Sequence, residues 1–195
     1  MIMITKSKFV ALSCFVAAIS IVAATHGGDS IPQATGAAQW NDQNQLLQPI
    51  NYREWIFVGT PVTPSDMNDG SAAFPEFHNV YIDPVSWAEY KKTGNFPEGT
   101  VMVKELVSVG SKQAASGAGY FQGEFLGLEA AVKSAAKHPK EPGNWGYYSF
   151  TQPGKVPSKS ASIKPTQSCN ACHVNAKEDY VFTQYYPVLR AAAKK

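Results

Sequence analysis

Cys169-Asn170-Ala171-Cys172-His173 places two thiols three residues apart, with an imidazole directly after the second. On a helix the two sulfurs lie about one turn apart, a spacing at which each can add to a vinyl group on one edge of a porphyrin while the imidazole reaches the iron. The pattern C-x-x-C-H is that of covalent haem c attachment. A zinc site would need two further soft or imidazole ligands nearby, and none follows His173. A redox or structural dithiol is the remaining alternative for the cysteine pair. The third cysteine, Cys14, lies in an N-terminal apolar run, so the sequence offers no disulfide framework.

That apolar run bears on the compartment. Met1 to Lys8 carries Lys6 and Lys8 and no acid, Phe9 to Ala24 is apolar but short for a bilayer span, and Val22-Ala23-Ala24 supplies small residues of the kind a signal peptidase accepts. Residues 1–24 read as a secretory signal peptide and residues 25–195 as the mature domain, exported to the periplasm without a stable membrane anchor. Few apolar residues precede Cys14 and the run continues well past it, which argues against a lipoprotein. Haem c is attached to exported chains, so leader and motif agree. With the leader removed, fifteen Lys and Arg face fifteen Asp and Glu, and a chain without net charge has no electrostatic case for nucleic acid. About 170 residues suit one domain with its own core. Aromatic side chains, 12% of the sequence, serve a ring-rich core and a haem pocket alike, because a porphyrin is itself a large apolar core element.

The elements that must hold the motif follow from local signals. Asn51 as an N-cap before Tyr52, Trp55 and Ile56 predicts a short helix to Phe57, stopped by Gly59-Thr60-Pro61, and residues 61–74, rich in Pro, Gly, Asp and Asn, read as a loop. His78 to Ile82 reads as extended, with His78, Val80 and Ile82 on one face. Asp83-Pro84, an N-cap followed by proline at the first helical position, opens a helix through Trp87 and Tyr90 that closes at Gly94. Thr100 to Val109 carries the strongest strand signal, Val101, Val103, Val107 and Val109 alternating with Met102, Lys104 and Leu106. Tyr120 to Glu129 alternates again after a Gly- and Ser-rich turn over 110–119, so the two runs predict an antiparallel pair. Trp145 to Thr151 is a third run. Residues 152–168, full of Pro, Lys and Ser, are too long for an ordinary connection and wrap towards the motif. The haem helix opens near Cys169, and Tyr180 to Ala193 is a last helical segment interrupted or kinked by Pro187. Helices, an antiparallel sheet and helices again define an α+β domain, mainly antiparallel sheet with flanking helices and the haem motif near the C-terminus.

Only Val174 to Lys195 follow the motif, and no methionine lies there to serve as a second axial ligand. Met67, Met102, His26, His78 and His138 come earlier, none in a pattern that marks a ligand. The economical expectation is a five-coordinate iron with His173 on one side and an open face on the other, which favours chemistry or gas binding over simple electron carriage. Lys104 shares its strand face with Met102 and Leu106. Burial disfavours an ammonium, and a neutral amine is a competent nucleophile that could bond to a porphyrin. A lysine that snorkels to water or guards a sheet edge is the plainer reading of the same spacing.

Longer stretches resemble the cytochrome P-460 proteins of ammonia-oxidising and methane-oxidising bacteria. They are Asn51-Tyr52-Arg53-Glu54-Trp55, Val80-Tyr81-Ile82-Asp83-Pro84, Lys91-Lys92-Thr93-Gly94, the run from Gly99 to Gly110, Gly127-Leu128-Glu129-Ala130, Glu141-Pro142-Gly143-Asn144-Trp145, the C-x-x-C-H and Tyr186-Pro187-Val188-Leu189-Arg190, in the same order over nearly all of the mature chain. The resemblance implies a mainly antiparallel sheet with flanking helices, a homodimer, and one haem c per chain held by Cys169 and Cys172, with His173 on the iron and a third covalent link from a lysine nitrogen to the macrocycle. Lys104 matches that lysine. Such a link interrupts conjugation at one edge of the ring and tethers it to the sheet.

The activity that the resemblance implies is oxidation of hydroxylamine to nitrous oxide, with nitric oxide diverted towards nitrite by oxidant and a periplasmic c-type cytochrome as electron acceptor. Glu129 matches the family's distal carboxylate, which would take up protons released during oxidation; a strand-end acid in water is the bland reading. Phe121 and Phe125 are expected on the strand face of Glu129 as rings of the distal pocket, and His78 is a further candidate there. Relatives carry arginine near the pocket at the place of His78, so its role does not carry over. Two other classes compete. Related cytochrome c′-β proteins bind nitric oxide on a similar sheet without turnover, under an apolar cap and without a lysine link, whereas an electron-transfer cytochrome requires a sixth protein ligand. Lys104 with Glu129 argues against the first, and the missing downstream methionine against the second.

Overall fold

The computed structural model describes residues 38–192; the leader assigned to residues 1–24, and His26, lie outside the described residues. In chain order these form β1 (Leu46–Leu47), β2 (Ile56–Gly59), β3 (Phe77–Ile82), α1 (Pro84–Thr93), β4 (Val101–Val109), β5 (Gln113–Ala114), β6 (Gly117–Ala118), β7 (Gln122–Lys133), β8 (Trp145–Ser149), β9 (Ser160–Ala161), α2 (Thr166–His173) and α3 (Pro187–Ala192). Five strands make one sheet in the order β2-β3-β4-β7-β8, antiparallel at every step, while β1 with β9 and β5 with β6 form two-residue pairs. The domain is α+β and mainly antiparallel, as the alternating runs predict. No helix among the described residues is long and apolar enough to cross a membrane.

Apolar side chains cover both faces of this sheet. Val101 and Val103 of β4 pack with Leu46, Trp55, Leu128, Tyr148 and Phe150 in one cluster, and Met102 packs with Val80, Ile82, Trp145, Tyr147 and Leu189 in another. The alternation of β4 therefore feeds two cores rather than one core and solvent. Asp83 joins helix to sheet: one carboxylate oxygen accepts from Ser86 N at 2.8 Å and caps α1, and the other accepts from Val101 N at 2.9 Å. Gly94, at φ 72°, closes α1 in the left-handed conformation that a side chain would resist.

Three local expectations are corrected. Tyr52–Glu54 is a single 3₁₀ turn, Asn51 provides no side-chain cap, and Ile56 to Gly59 is strand, pairing Ile56 with Ile82 and Phe57 with Tyr81. A short apolar run does not distinguish helix from strand by period, and here the open edge of β3 decides it. Pro187 does not kink a helix but begins α3, where its missing N–H costs nothing; residues 180–186 before it hold a turn and a 3₁₀ segment at Thr183–Tyr185. The haem helix begins at Thr166, earlier than Cys169, and ends on His173. The long connection before it is anchored along β8, where Ile163 bridges Tyr148 and Lys164 N donates to Tyr147 O at 2.7 Å.

His138 is almost wholly buried, its Nε2 2.7 Å from the Tyr148 hydroxyl and its Nδ1 3.3 Å from Asn144 O. Burial pulls its pKa below the ordinary 6.5. The folded state thus stays neutral where the unfolded chain has taken a proton, so stability rises with pH between the folded and unfolded values and is lost on acidification. His78 shifts in the same direction, also chiefly through burial, and adds to the effect. The urea midpoint is expected to fall between pH 7 and pH 5, with a shallower fall in His138→Gln; equal slopes would assign the pH dependence to other groups.

Candidate functional site

Helix α2 is delivered by its buried side. Glu141 accepts from Thr166 Oγ1 at 2.8 Å and from Asn170 Nδ2 at 2.7 Å, which fixes the rotation of the helix and leaves Cys172 exposed and Cys169 half-buried. Burial raises the pKa of the Cys169 thiol. At the end of the helix, His173 packs between the rings of Tyr147 and Phe182, at centroid distances of 4.5 and 5.0 Å. Its Nδ1 is 2.7 Å from Tyr180 O. A carbonyl only accepts, so Nδ1 carries the proton and the Nε2 lone pair is the one available to a metal. Burial also holds His173 below its ordinary pKa, which favours the neutral imidazole that ligation requires.

The carbonyl that performs this service sits in an unusual turn. Val181 N donates to Glu178 O at 2.9 Å, and the two residues between, Asp179 and Tyr180, have φ of 46° and 61°. Positive φ at both central positions is the pattern of a type I′ turn, which Asn and Gly favour. A bulky ring held there costs about 1–3 kcal/mol.

Across the cavity wall, β4 and β7 pair Lys104 directly with Glu129, and directly opposed residues share a face. Lys104 Nζ lies 2.7 Å from Glu129 Oε2 and 5.5 Å from the centre of the Phe74 ring. The amine is therefore ion-paired as well as set over an aromatic face, not simply pressed on apolar surface. His78 lies on the neighbouring strand β3. Its Nε2 is buried without a hydrogen-bond partner, 3.5 Å from Glu76 Oε1, and burial followed by the Lys104 charge lowers its pKa.

Cys169, Cys172, His173, Lys104, Glu129 and His78 all border one cavity of about 430 Å³. Its remaining walls are largely aromatic and aliphatic, among them Phe74, Tyr147, Phe182 and Tyr186, whose hydroxyl is pushed up to about 12 by burial. A haem fits this donor set: two thiols one helical turn apart, an imidazole with its tautomer fixed, and ring-lined walls. Among the described residues, no group of three or more His, Cys, Asp and Glu is placed to hold a metal ion, so the C-x-x-C pair has no partners for zinc. Of the earlier axial candidates, Met102 lines the wall with His78, Met67 is exposed, and His138 is buried against Tyr148.

Phe121 and Phe125 do not line this cavity. The register between β4 and β7 slips between Leu106 and Val107, so that Gly127 faces Leu106 while Phe125 faces Val107. This β-bulge reverses the alternation, and Phe125 packs on the opposite core with Val101 and Val103. Phe121 precedes β7, its carbonyl accepting from Gly110 N. Sequence reasoning missed Tyr147, Phe182 and Phe74 as cavity rings. Tyr147 alternates with Trp145 in the third strand run and could have been found there; Phe74 and Phe182 lie in irregular segments that carry no period.

The site is that of a c-type cytochrome, one whose haem cavity is walled by an antiparallel sheet. Residues 49–183 match the family Cytochrome P460, and the chain belongs to that family. It is accordingly a haem cytochrome of oxidoreductase type with a c-type haem. No curated protein matches the chain.

Proposed function

We propose that the protein is a periplasmic enzyme that oxidises hydroxylamine to nitrous oxide, with nitric oxide passing towards nitrite when oxidant is present. The observation that carries this reading is the Lys104–Glu129 pair, 2.7 Å apart on the cavity wall. A protein that only bound nitric oxide would need neither a nucleophilic amine nor a proton acceptor there. Bound haem supplies the capacity to take electrons from a small nitrogen ligand. The chain's own residues do the rest. Cys169 and Cys172 would hold the macrocycle by thioethers and His173 would offer Nε2 to its iron. Lys104 would supply the nitrogen of a third link, whose formation replaces an N–H and a ring C–H by an N–C bond and passes two electrons to an added oxidant of the peroxide class. Oxidation of hydroxylamine sheds protons with electrons, and the Glu129 carboxylate receives them. Once the lysine nitrogen is bonded to carbon, Glu129 no longer faces an ammonium, and its oxygens are free for substrate protons. His78 borders the same cavity, with its Nε2 set 3.5 Å from Glu76 Oε1.

One haem per chain, a homodimer and a periplasmic c-type cytochrome as electron acceptor complete the proposal, with the signal-like residues 1–24 supporting export. The test joins mass spectrometry to turnover. A digest should yield the Lys104 peptide covalently joined to the haem peptide of Cys169 and Cys172, and anaerobic hydroxylamine with an artificial oxidant should yield nitrous oxide. A separate Lys104 peptide, no nitrous oxide, and retained nitric oxide binding would establish the nitric oxide-binding alternative instead.

A further inference from the structure

The strained turn at Glu178–Val181 is fastened from several sides. Lys133 Nζ, at the end of β7, lies 2.5 Å from Asp179 Oδ2 and also donates to Phe96 O at 3.1 Å. Trp145 Nε1 donates to Asp179 Oδ1 at 3.4 Å. Glu178 accepts from Thr183 Oγ1 at 2.5 Å. Gly143 sits under the Tyr180 ring so closely that a Cβ there would lie 2.2 Å from Tyr180 Cδ2. Tyr180 thus occupies left-handed backbone that its bulky side chain disfavours, next to an Asp179 that tolerates it, and the neighbours that keep both there come from β7, β8 and the segment before β8. A strained conformation over-determined in this way marks a place where geometry is being maintained. What it maintains is the 2.7 Å bond from His173 Nδ1 to Tyr180 O.

We infer that Lys133, Asp179 and Gly143 are positioning residues that hold the Tyr180 carbonyl against His173 and so set the donor strength of that imidazole. A firm Nδ1–H···O=C bond gives the ring partial imidazolate character, which strengthens the bond from Nε2 to a metal and favours the oxidised ion. The ion pair acts through the backbone, since neither Lys133 nor Asp179 lines the cavity. The inference rests on His173 as the axial ligand, and its test separates the two.

Resonance Raman spectra of the ferrous holoprotein and its midpoint potential are measured for wild type, Lys133→Met and Lys133→Arg. Lys133→Met, which keeps bulk and loses charge, should lower the iron–histidine stretching frequency and raise the potential. An about tenfold loss in the preference for the oxidised state, the lower end of what such outer partners contribute, reads as about 59 mV for one electron. Lys133→Arg should restore both values. Asp179→Asn, which keeps an acceptor for Trp145 and tolerates left-handed backbone, should give the same shifts if Lys133→Met does not accumulate. A lower Tm with frequency and potential at wild-type values would reduce the turn to a structural staple and overturn the inference. A wild-type spectrum with no iron–histidine band would overturn the ligand assignment itself, and the inference with it.

Discussion

Glu129→Gln is expected to lower hydroxylamine turnover by about 10²- to 10⁴-fold, the range associated with a positioned proton acceptor. Glutamine has nearly the same shape and can still accept a hydrogen bond from Lys104, but its amide does not take up a proton. Glu129 sits in the middle of the paired region of β7, with Ala130 and Ala131 continuing the ladder to β8, so the change leaves the sheet and its register in place. The loss should therefore fall on kcat, with KM for hydroxylamine and the affinity for nitric oxide little altered. Steady-state turnover with an artificial oxidant measures the first, and spectral titration of the reduced protein the second. Turnover within a factor of a few of wild type would show that protons leave by another route. Each variant's digest should also be checked for the joined Lys104 and haem peptides, so that a change in chemistry is not confused with a change in the cofactor.

Lys104→Ala should abolish the third haem attachment outright and reduce hydroxylamine turnover by about 10²-fold, the cost associated with misplacing a reacting group by about 1 Å. Before the haem is linked, the Lys104–Glu129 ion pair is worth little to the fold. Lys104 and Glu129 keep 29% and 31% of their side-chain surface exposed, where screened pairs contribute about 0–1 kcal/mol. A large fall in activity with a urea midpoint close to wild type would therefore locate the effect in the tether and the cavity wall rather than in folding. Haem should remain covalently bound through Cys169 and Cys172, and the protein should become a binder of nitric oxide. A variant that keeps both the wild-type absorption spectrum and nitrous oxide production would refute the proposed enzyme at its centre.

The Lys104–Glu129 pair also shows where a sequence stops being sufficient. Each residue was legible as a candidate, Lys104 from its place between Met102 and Leu106 and Glu129 from the family resemblance. Their direct opposition was not, because it depends on the register of β4 against β7, which two slips near Val107 and Val109 help to define. The same slips turned Phe125 to the far core, against the simple alternation that put it beside Glu129. A bulge adds one residue to one strand, and nothing in a two-residue period announces where. The misread helix at 51–57 has a similar origin, since a four-residue apolar segment takes its conformation from the edge it finds.

What the sequence determined by itself was whatever neighbouring residues complete among themselves. Cys169, Cys172 and His173 gather on one turn because they are three and four residues apart, Asp83 caps α1 within its own first turn, and Gly94 closes that helix. Only the tertiary structure decided which carbonyl meets His173 and what holds it there. Asp179 is at most a weak turn signal and Tyr180 is none, and the left-handed backbone at both positions is held by Lys133, Trp145 and Gly143, more than thirty residues away in the chain. Short-range geometry is fixed by covalent spacing and backbone preference, whereas a strained turn persists only when distant groups make the alternatives worse.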